Sequence, residues 1–185
     1  LVYNSFKAGI NDNDSSYDNE LRELSVNKFN GVDEFVLDLL YNGGGLLSCA
    51  RLMCAILGPG NVLSDNKFGY LEYNDGSKEY FKANHKGGNG KNLNLRRLFV
   101  LVSPSTASAS EAVINLLDPY MDVIVIGRTT LGKNVGSDPI KNADGTWVMH
   151  PITCKIFNYE GKSDYVDGWI PDMVRGDVFD YDNEG

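Results

Sequence analysis

One stretch of the sequence combines hydroxyl side chains with a setting that would expose them. Residues 103–111 (SPSTASASE) follow an apolar segment typical of a strand and open a segment typical of a helix. Ser108 would then stand on a tight turn, beside the first N–H groups of the helix, which have no helical partner. Such donors can stabilise an oxyanion, so Ser108 is a candidate nucleophile. Ser108 and Glu111 also fit a capping box, in which the serine only caps the helix.

A serine hydroxyl needs a base to become a good nucleophile, and Lys133 is the candidate. It lies in a predicted loop after the apolar strand at residues 123–127. Small, uncharged neighbours such as Thr130 and Gly132 would suit a buried amine. Burial favours the neutral form of a lysine, which can accept a proton. The alternative is an exposed loop lysine without a catalytic role.

A third segment, residues 38–45 (DLLYNGGG), places three glycines directly after a predicted strand. Consecutive glycines let the backbone approach a ligand closely and direct an N–H group at it. The turn could therefore supply a second oxyanion donor. An ordinary strand-to-helix turn is the alternative.

Other chemistry is less well supported by the sequence. Residues 127–134 (GRTTLGKN) nearly match a phosphate-binding P-loop, but Asn134 replaces the magnesium-binding hydroxyl and no helix can start after it. His85 lies in a polar glycine-rich loop and His150 precedes a proline, so both are poor candidates for a positioned base. No spacing of His, Cys and Asp resembles a zinc site, and we expect no cofactor.

Four motifs together resemble the S41 peptidases, the carboxyl-terminal processing or tail-specific proteases, most closely those of Bacteroides-type bacteria. The family patterns are D-L-R-x-N-x-G-G, T-A-S-A-S-E, G-E-x-T-x-G-K and G-x-x-P-D. They correspond, in the same order, to residues 38–45, 106–111, 127–133 and 168–172. The resemblance extends over nearly the whole chain, and the interval between Ser108 and Lys133 also fits it.

The resemblance implies a role for each matching residue. Ser108 would be the nucleophile and Lys133 the general base. The N–H of Ala109, with that of Gly43 or Gly44, would form the oxyanion hole. The implied function is a serine endopeptidase that cleaves polypeptide substrates near their C-termini through an acyl-enzyme, in the cell envelope, either periplasmic or extracellular. An extended substrate would add to a sheet edge near the site.

The chain departs from the family pattern at three positions, and two of these departures, Arg128 and Ser137, favour an alternative, a catalytically silent module that binds a peptide or another ligand. Leu40 replaces the usual arginine and Arg128 replaces the usual glutamate. Ser137 stands where many members have a glutamine that orients the lysine. Ser137 could form a hydrogen bond, but it is shorter than glutamine.

The length of 185 residues predicts one domain, assigned as a catalytic domain at 1–176 and an acidic tail at 177–185. We expect a fragment, with any PDZ domain upstream of it. The net charge of −8 argues against nucleic acid as a partner, and no apolar run is long enough to span a membrane.

Apolar strands alternating with helices predict an α/β fold with a mixed sheet flanked by helices, and the resemblance implies a ClpP/crotonase-like spiral core. The predicted strands are 1–7, 34–39, 68–73, 78–82, 98–102, 123–127 and 147–157, the helices are 17–30, 46–57 and 105–120, and 128–140 is a loop.

Overall fold

The computed structural model describes residues 1–60, 67–82 and 90–174. His85 and the predicted acidic tail lie outside the described residues. The elements, in chain order, are α1 (Ser16–Asn27), β1 (Val36–Asp38), α2 (Leu47–Leu57), β2 (Lys67–Tyr73), β3 (Lys78–Lys82), β4 (Arg97–Val102), α3 (Ala109–Leu117), β5 (Asp122–Gly127), β6 (Val135–Ser137), β7 (Ile140–Lys141), β8 (Val148–Met149), β9 (Ile152–Asn158) and β10 (Met173–Val174).

The strands form two four-stranded sheets and a small hairpin. One sheet has the order β1-β4-β5-β10, and all of its pairs are parallel. The other has the order β3-β2-β9-β6, and all of its pairs are antiparallel. Strands β7 and β8 pair only with each other. The predicted α/β class with flanking helices is confirmed, and the two kinds of pairing lie in separate sheets rather than in one mixed sheet.

Helix α3 is the centre of the core. All nine of its residues are buried, and it contacts α2, β9 and β2. A helix that is apolar on every side is stable only when it is surrounded by protein, and each fully buried Leu or Ile contributes about 1.5–3 kcal/mol. Ser108 immediately precedes this helix, so the candidate nucleophile stands at the end of a well-packed element. None of the described helices has the length and apolar character needed to cross a membrane.

The parallel sheet explains why the three sequence motifs meet. Strands β1, β4 and β5 are neighbours in it, with Phe99 of β4 opposite both Val36 and Ile124. The glycine turn follows β1, the serine segment follows β4, and the lysine loop follows β5. Ligand sites in parallel sheets lie at the carboxyl ends of the strands, so these loops share the edge where a site is expected.

Two predicted elements differ from the structure near the site. The strand at residues 1–7 is reduced to two isolated bridges, Val2 with Asp38 and Phe6 with Gly45, since β1 ends at Asp38 and offers no longer partner. The helix predicted from residue 105 begins at Ala109. The Thr106 hydroxyl accepts a hydrogen bond from Ser103 N–H at 2.9 Å and thereby holds the preceding residues in a turn.

The region after the lysine contains more strand than the sequence indicated. The predicted loop at 128–140 includes β6, which pairs with β9, and the first residue of β7. The strand predicted at 147–157 is divided into β8 and β9 by residues that include Pro151, which has no N–H group for a ladder. Because a strand follows Lys133, the helix N-terminus that a P-loop requires is absent there.

Candidate active site

Ser108 has a backbone conformation that is rare for its type. Its φ is 59° and its ψ is −115°, whereas an N-cap residue usually has an extended backbone. Among the described residues, only Asn94 also has a positive φ without being glycine. Strain of this kind costs about 1–3 kcal/mol and is concentrated at functional sites, including the strand-turn-helix that presents a nucleophilic serine. The partly exposed Ser108 therefore differs from an ordinary helix cap.

The glycine turn lies against the serine segment. A Cβ atom on Gly44 would be 2.7 Å from the Ala107 carbonyl oxygen and 2.8 Å from the Ser108 Cβ. Only a glycine therefore fits at this position, where φ is +101°. The close approach brings the backbone of the turn to the first residue of α3, as an oxyanion hole built from both segments requires.

The hydrogen bonds distinguish between the three predicted oxyanion donors. The Gly44 N–H donates to the Asn42 Oδ1 atom at 2.9 Å, so it already has a partner. The N–H groups of Gly43 and Ala109 have no partner in the hydrogen bonds of the described residues. Gly43 and Ala109 are therefore the two donors that remain available to a ligand.

Asn42, for which the sequence analysis predicted no separate role, joins the glycine turn to the serine segment. Its side chain is fully buried, and its Nδ2 donates to the Tyr3 carbonyl oxygen at 2.7 Å. Its own carbonyl oxygen accepts from Ala107 N–H at 3.2 Å and from the Ser110 hydroxyl at 2.8 Å. A buried amide with all these partners is a rigid connection between the two segments. In the sequence, the position of Asn42 within the glycine motif was the only indication of this role.

Glu111 connects the serine segment with the lysine loop. Its carboxylate is fully buried and accepts four hydrogen bonds. Oε1 accepts from the Thr130 hydroxyl and the Gly132 N–H, both at 2.6 Å. Oε2 accepts from the N–H groups of Ser108 and Lys133, both at 2.8 Å.

Glu111 accepts more hydrogen bonds than the capping box that the sequence predicted would require. The bond from Ser108 N–H is the part that a capping box contains, while the other three bonds come from residues far along the chain. A charged side chain inside a largely apolar helix was the available signal, since buried carboxylates need several donors.

Lys133 lies closer to solvent than the sequence indicated. The expectation of a buried amine is wrong for this structure, since the Lys133 side chain is exposed. Its loop neighbours Thr130 and Asn134 are buried. The loop is therefore buried at these two side chains, whereas the lysine side chain itself is not buried. In the described part of the chain, no hydrogen bond joins Lys133 to the hydroxyl of Ser108 or of Ser137.

A cavity of about 350 Å³ nevertheless brings four of the predicted site residues together, although Gly43 and Gly44 are not among the residues that line it. Ser108, Ala109, Lys133 and Ser137 all line it. The rest of the wall is largely apolar and includes Leu46, Leu47, Leu71, Val135, Cys154 and Ile156. Such a cavity could hold an apolar side chain beside the serine hydroxyl.

The other sequence candidates lie elsewhere. His150 is exposed, falls between β8 and β9, and does not line the cavity. Arg128 is exposed at the start of the lysine loop, and its N–H donates to the Val102 carbonyl oxygen at 3.1 Å. Leu40 contributes its carbonyl oxygen as the acceptor for the Ser103 hydroxyl. Of the side chains that the sequence singled out as site candidates, those of Ser108, Lys133 and Ser137 line the cavity.

Comparison with known proteins defines the class. Residues 1–174 match peptidase family S41, and the chain belongs to this family. It is 30% identical over 151 residues to the carboxy-terminal processing protease CtpA of Bacillus subtilis, a match that covers 82% of this chain and 30% of that protein. It is also 30% identical over 118 residues to the carboxyl-terminal-processing protease of Synechocystis, covering 64% of this chain and 25% of that protein.

Solved structures agree with this assignment. A structure from Bacteroides fragilis, described as that of an S41 protease, superposes with a TM-score of 0.86 at 35% identity, covering 94% of this chain and 46% of that one. The photosystem II D1 C-terminal processing protease shares the fold, with a TM-score of 0.64 at 24% identity over 95% of this chain and 41% of that one. The chain thus spans less than half the length of these relatives.

Proposed function

We propose that this chain carries the catalytic centre of a serine peptidase that uses Ser108 as nucleophile and Lys133 as general base. The observation that carries the proposal is the cavity that both side chains line together with Ala109, whose N–H has no partner in the hydrogen bonds of the described residues. The strained backbone of Ser108 and its place at the start of a buried helix support the same role.

In the proposed reaction, Lys133 accepts the Ser108 proton while the serine oxygen attacks the carbonyl carbon of the peptide bond. The N–H groups of Gly43 and Ala109 hold the oxyanion. The carbon–nitrogen bond then breaks, and the proton passes from Lys133 to the leaving amine. Water hydrolyses the acyl ester, which releases the second product and regenerates Ser108.

The exposure of Lys133 determines when this proton transfer can occur. A lysine side chain has four rotatable bonds and can reach across a cavity that it already lines. A bound peptide would displace water from the cavity and reduce the solvation of the amine, which favours its neutral form. We therefore place the productive contact between Lys133 and Ser108 in the complex with substrate.

An extended substrate can be accommodated along β6. This strand is at the edge of the antiparallel sheet, begins two residues after Lys133, and contributes Gly136 and Ser137 to the cavity wall. Free edges accept peptides by strand addition. We expect a structure of Ser108→Ala with a bound peptide to show an extended peptide beside β6. A peptide bound in a helical or turned conformation would contradict this mode.

The relatives support a substrate class that the cavity alone does not indicate. Both curated relatives are carboxyl-terminal processing proteases, which supports polypeptide substrates cleaved near their C-termini. From the same family resemblance we expect the protein to act in the cell envelope, in the periplasm or outside the cell. Cell fractionation with an antibody to the chain tests the location, and a purely cytosolic signal would contradict it.

The function is tested by hydrolysis of a fluorescently labelled, unfolded polypeptide. We expect the wild-type chain to cleave it and Ser108→Ala to lose cleavage while retaining its folding transition. Equal hydrolysis by both proteins would assign the activity to another group and contradict the proposal.

The second candidate is a module that binds peptides without cleaving them. The absence of a hydrogen bond between Lys133 and Ser108, in the part of the chain that the structure describes, favours this function. It predicts that wild type and Ser108→Ala bind the same unfolded polypeptide with equal affinity and that neither cleaves it.

The glycine turn gives a separate prediction. Gly44→Ala would force the backbone at φ +101° into a strained conformation and push the Ala107 and Ser108 backbone away from the turn. Loss of one oxyanion donor typically costs about 10²–10³ in rate, and we expect a loss of that size in hydrolysis. Gly76→Ala is the matched control, because Gly76 has φ +81° but no atom within 4 Å of the position that a Cβ would take. Wild-type hydrolysis by Gly44→Ala would contradict the proposed oxyanion hole.

A further inference from the structure

The lysine loop is covered by a segment that the proposed reaction does not use. We name residues 163–169 the strap. A Cβ atom on Gly132 would be 2.2 Å from the Val166 carbonyl oxygen and 2.7 Å from the Gly168 nitrogen, so the two backbones are in direct contact. The Thr130 N–H donates to the Trp169 carbonyl oxygen at 3.2 Å. The strap therefore packs on the face of the loop that adjoins Lys133.

The strap is itself fixed to the core. Just beyond it, Asp172 forms a reciprocal pair with Val125 of β5, in which each residue's N–H donates to an oxygen of the other at 2.8 Å. The Tyr165 ring is buried and stacks on Trp169, with ring centroids 5.7 Å apart. A segment held at these points can act as a rigid support for the loop beside it.

Asn134 is the side chain that joins the loop to the strap. It follows Lys133 directly and is only 5% exposed. Its Nδ2 donates to the Ser163 carbonyl oxygen at 2.6 Å. Its own carbonyl oxygen accepts from the Ile156 N–H of β9 at 2.9 Å. The residue after the lysine is thus bound on one side to the strap and on the other to the antiparallel sheet.

We propose that Asn134 is a positioning residue for Lys133, an inference that rests on the proposed function. On one side, the Lys133 N–H donates a hydrogen bond to Glu111. On the other side, the next residue, Asn134, is bound to the strap through its side chain. Together these bonds fix the backbone of Lys133. No hydrogen bond of the described residues orients the amine itself. The direction of the lysine side chain is therefore set through its backbone, and Ser137 is not needed for this purpose.

The fold supplies a matched control. Asn115 of α3 is 2% exposed, and its Nδ2 donates to the Lys162 carbonyl oxygen at 3.1 Å. It thus makes the same kind of buried bond, to the residue next to Ser163, and no hydrogen bond of the described residues joins its side chain to the lysine loop. Asn115→Leu and Asn134→Leu each remove one buried amide of the same size and leave one carbonyl oxygen without its donor. A purely structural role predicts equal effects for the two.

The test measures reaction of Ser108 with a fluorophosphonate, in which the serine oxygen bonds to phosphorus, fluoride leaves and the lysine takes the proton. Misplacement of a catalytic group by about 1 Å can cost about 10²-fold in rate. We expect Asn134→Leu to lower the maximal labelling rate about tenfold to hundredfold at an unchanged half-saturating concentration. Asn115→Leu should label as wild type does, even where both variants lose the same thermal stability.

Hydrogen exchange gives a measurement that does not depend on activity. We expect the amides of residues 130–133 to exchange faster in Asn134→Leu than in Asn115→Leu, since only the first releases the loop. Equal labelling by the two variants, or equal exchange, overturns the positioning role. If the wild type does not label but the exchange differs as expected, the proposed function fails and the anchoring of the loop stands. Should Asn134→Leu not fold, Asn134→Asp and Asn115→Asp replace the pair.

Discussion

Lys133→Met is expected to slow the reaction of Ser108 with a fluorophosphonate by about 10²–10⁴-fold, the usual contribution of a general base. Methionine keeps much of the length and apolar character of the lysine stem but cannot accept a proton. The cavity and the cluster of loops around it should therefore persist while the serine loses its base. The measurement is the maximal rate of labelling, with folding verified by thermal unfolding.

A double variant sharpens this prediction. Residues that act as one catalytic unit are not additive, so Ser108→Ala with Lys133→Met should hydrolyse a peptide no more slowly than Ser108→Ala alone. Lys141→Met is the control, because Lys141 is an exposed lysine of β7 that does not line the cavity. Labelling of Lys133→Met at the wild-type rate, or an equal loss in Lys141→Met, would rule out Lys133 as the base.

Glu111→Gln is expected to have the largest effect on stability among the substitutions proposed for this chain. Each carboxylate oxygen of Glu111 accepts two hydrogen bonds, and only donors face the carboxylate. Glutamine must place its NH₂ group against one pair of these donors in either orientation. Two buried donors then lose their acceptor, and each buried donor without a partner costs about 1–3 kcal/mol.

The stability loss can be measured by urea unfolding. The same protein should label slowly, because in either orientation the glutamine releases part of the lysine loop, either Thr130 with Gly132 or Lys133 together with Ser108. Glu34→Gln is the control, since Glu34 lies in an exposed ion pair with Arg97 and its replacement should change stability little. Equal stability of the two variants would mean that Glu111 does not hold the loops together.

Much of the site could be predicted from the sequence because its parts are local. The strand-to-helix position of Ser108 and the glycine turn are short-range features, and each follows a predicted apolar strand. Their convergence follows from the order of β1, β4 and β5 in the parallel sheet, which the structure shows. The α/β class and the family could be identified for the same reason.

What the sequence did not reveal depends on contacts between distant residues. The Gly44 N–H was a predicted oxyanion donor, but the conformation of the turn directs it to Asn42. Helix α3 begins at Ala109 rather than at the predicted residue 105 because the Thr106 hydroxyl donates a hydrogen bond to the Leu39 carbonyl oxygen at 2.8 Å. The two residues are 67 positions apart in the sequence. Local helix propensity carries no information about such a bond.

The lysine loop shows the same limit. Small neighbours predicted a buried amine at Lys133, whereas the buried groups are the loop backbone and the side chains of Thr130 and Asn134. The four donors around Glu111 and the strap over Gly132 bring the loop into place. The capping box indicated only one of the four donors, and the strap has no short-range signature. The length of a lysine side chain then allows its amine to remain in solvent.

The central claim is that Ser108 is the nucleophile of this cavity, and the site of fluorophosphonate attachment tests it most directly. Peptide mapping by mass spectrometry identifies the modified residue in the wild-type chain and in Ser108→Ala. We predict a single adduct on Ser108 in the wild type and none in Ser108→Ala. An adduct on another residue, or labelling that persists in Ser108→Ala, would contradict the assignment.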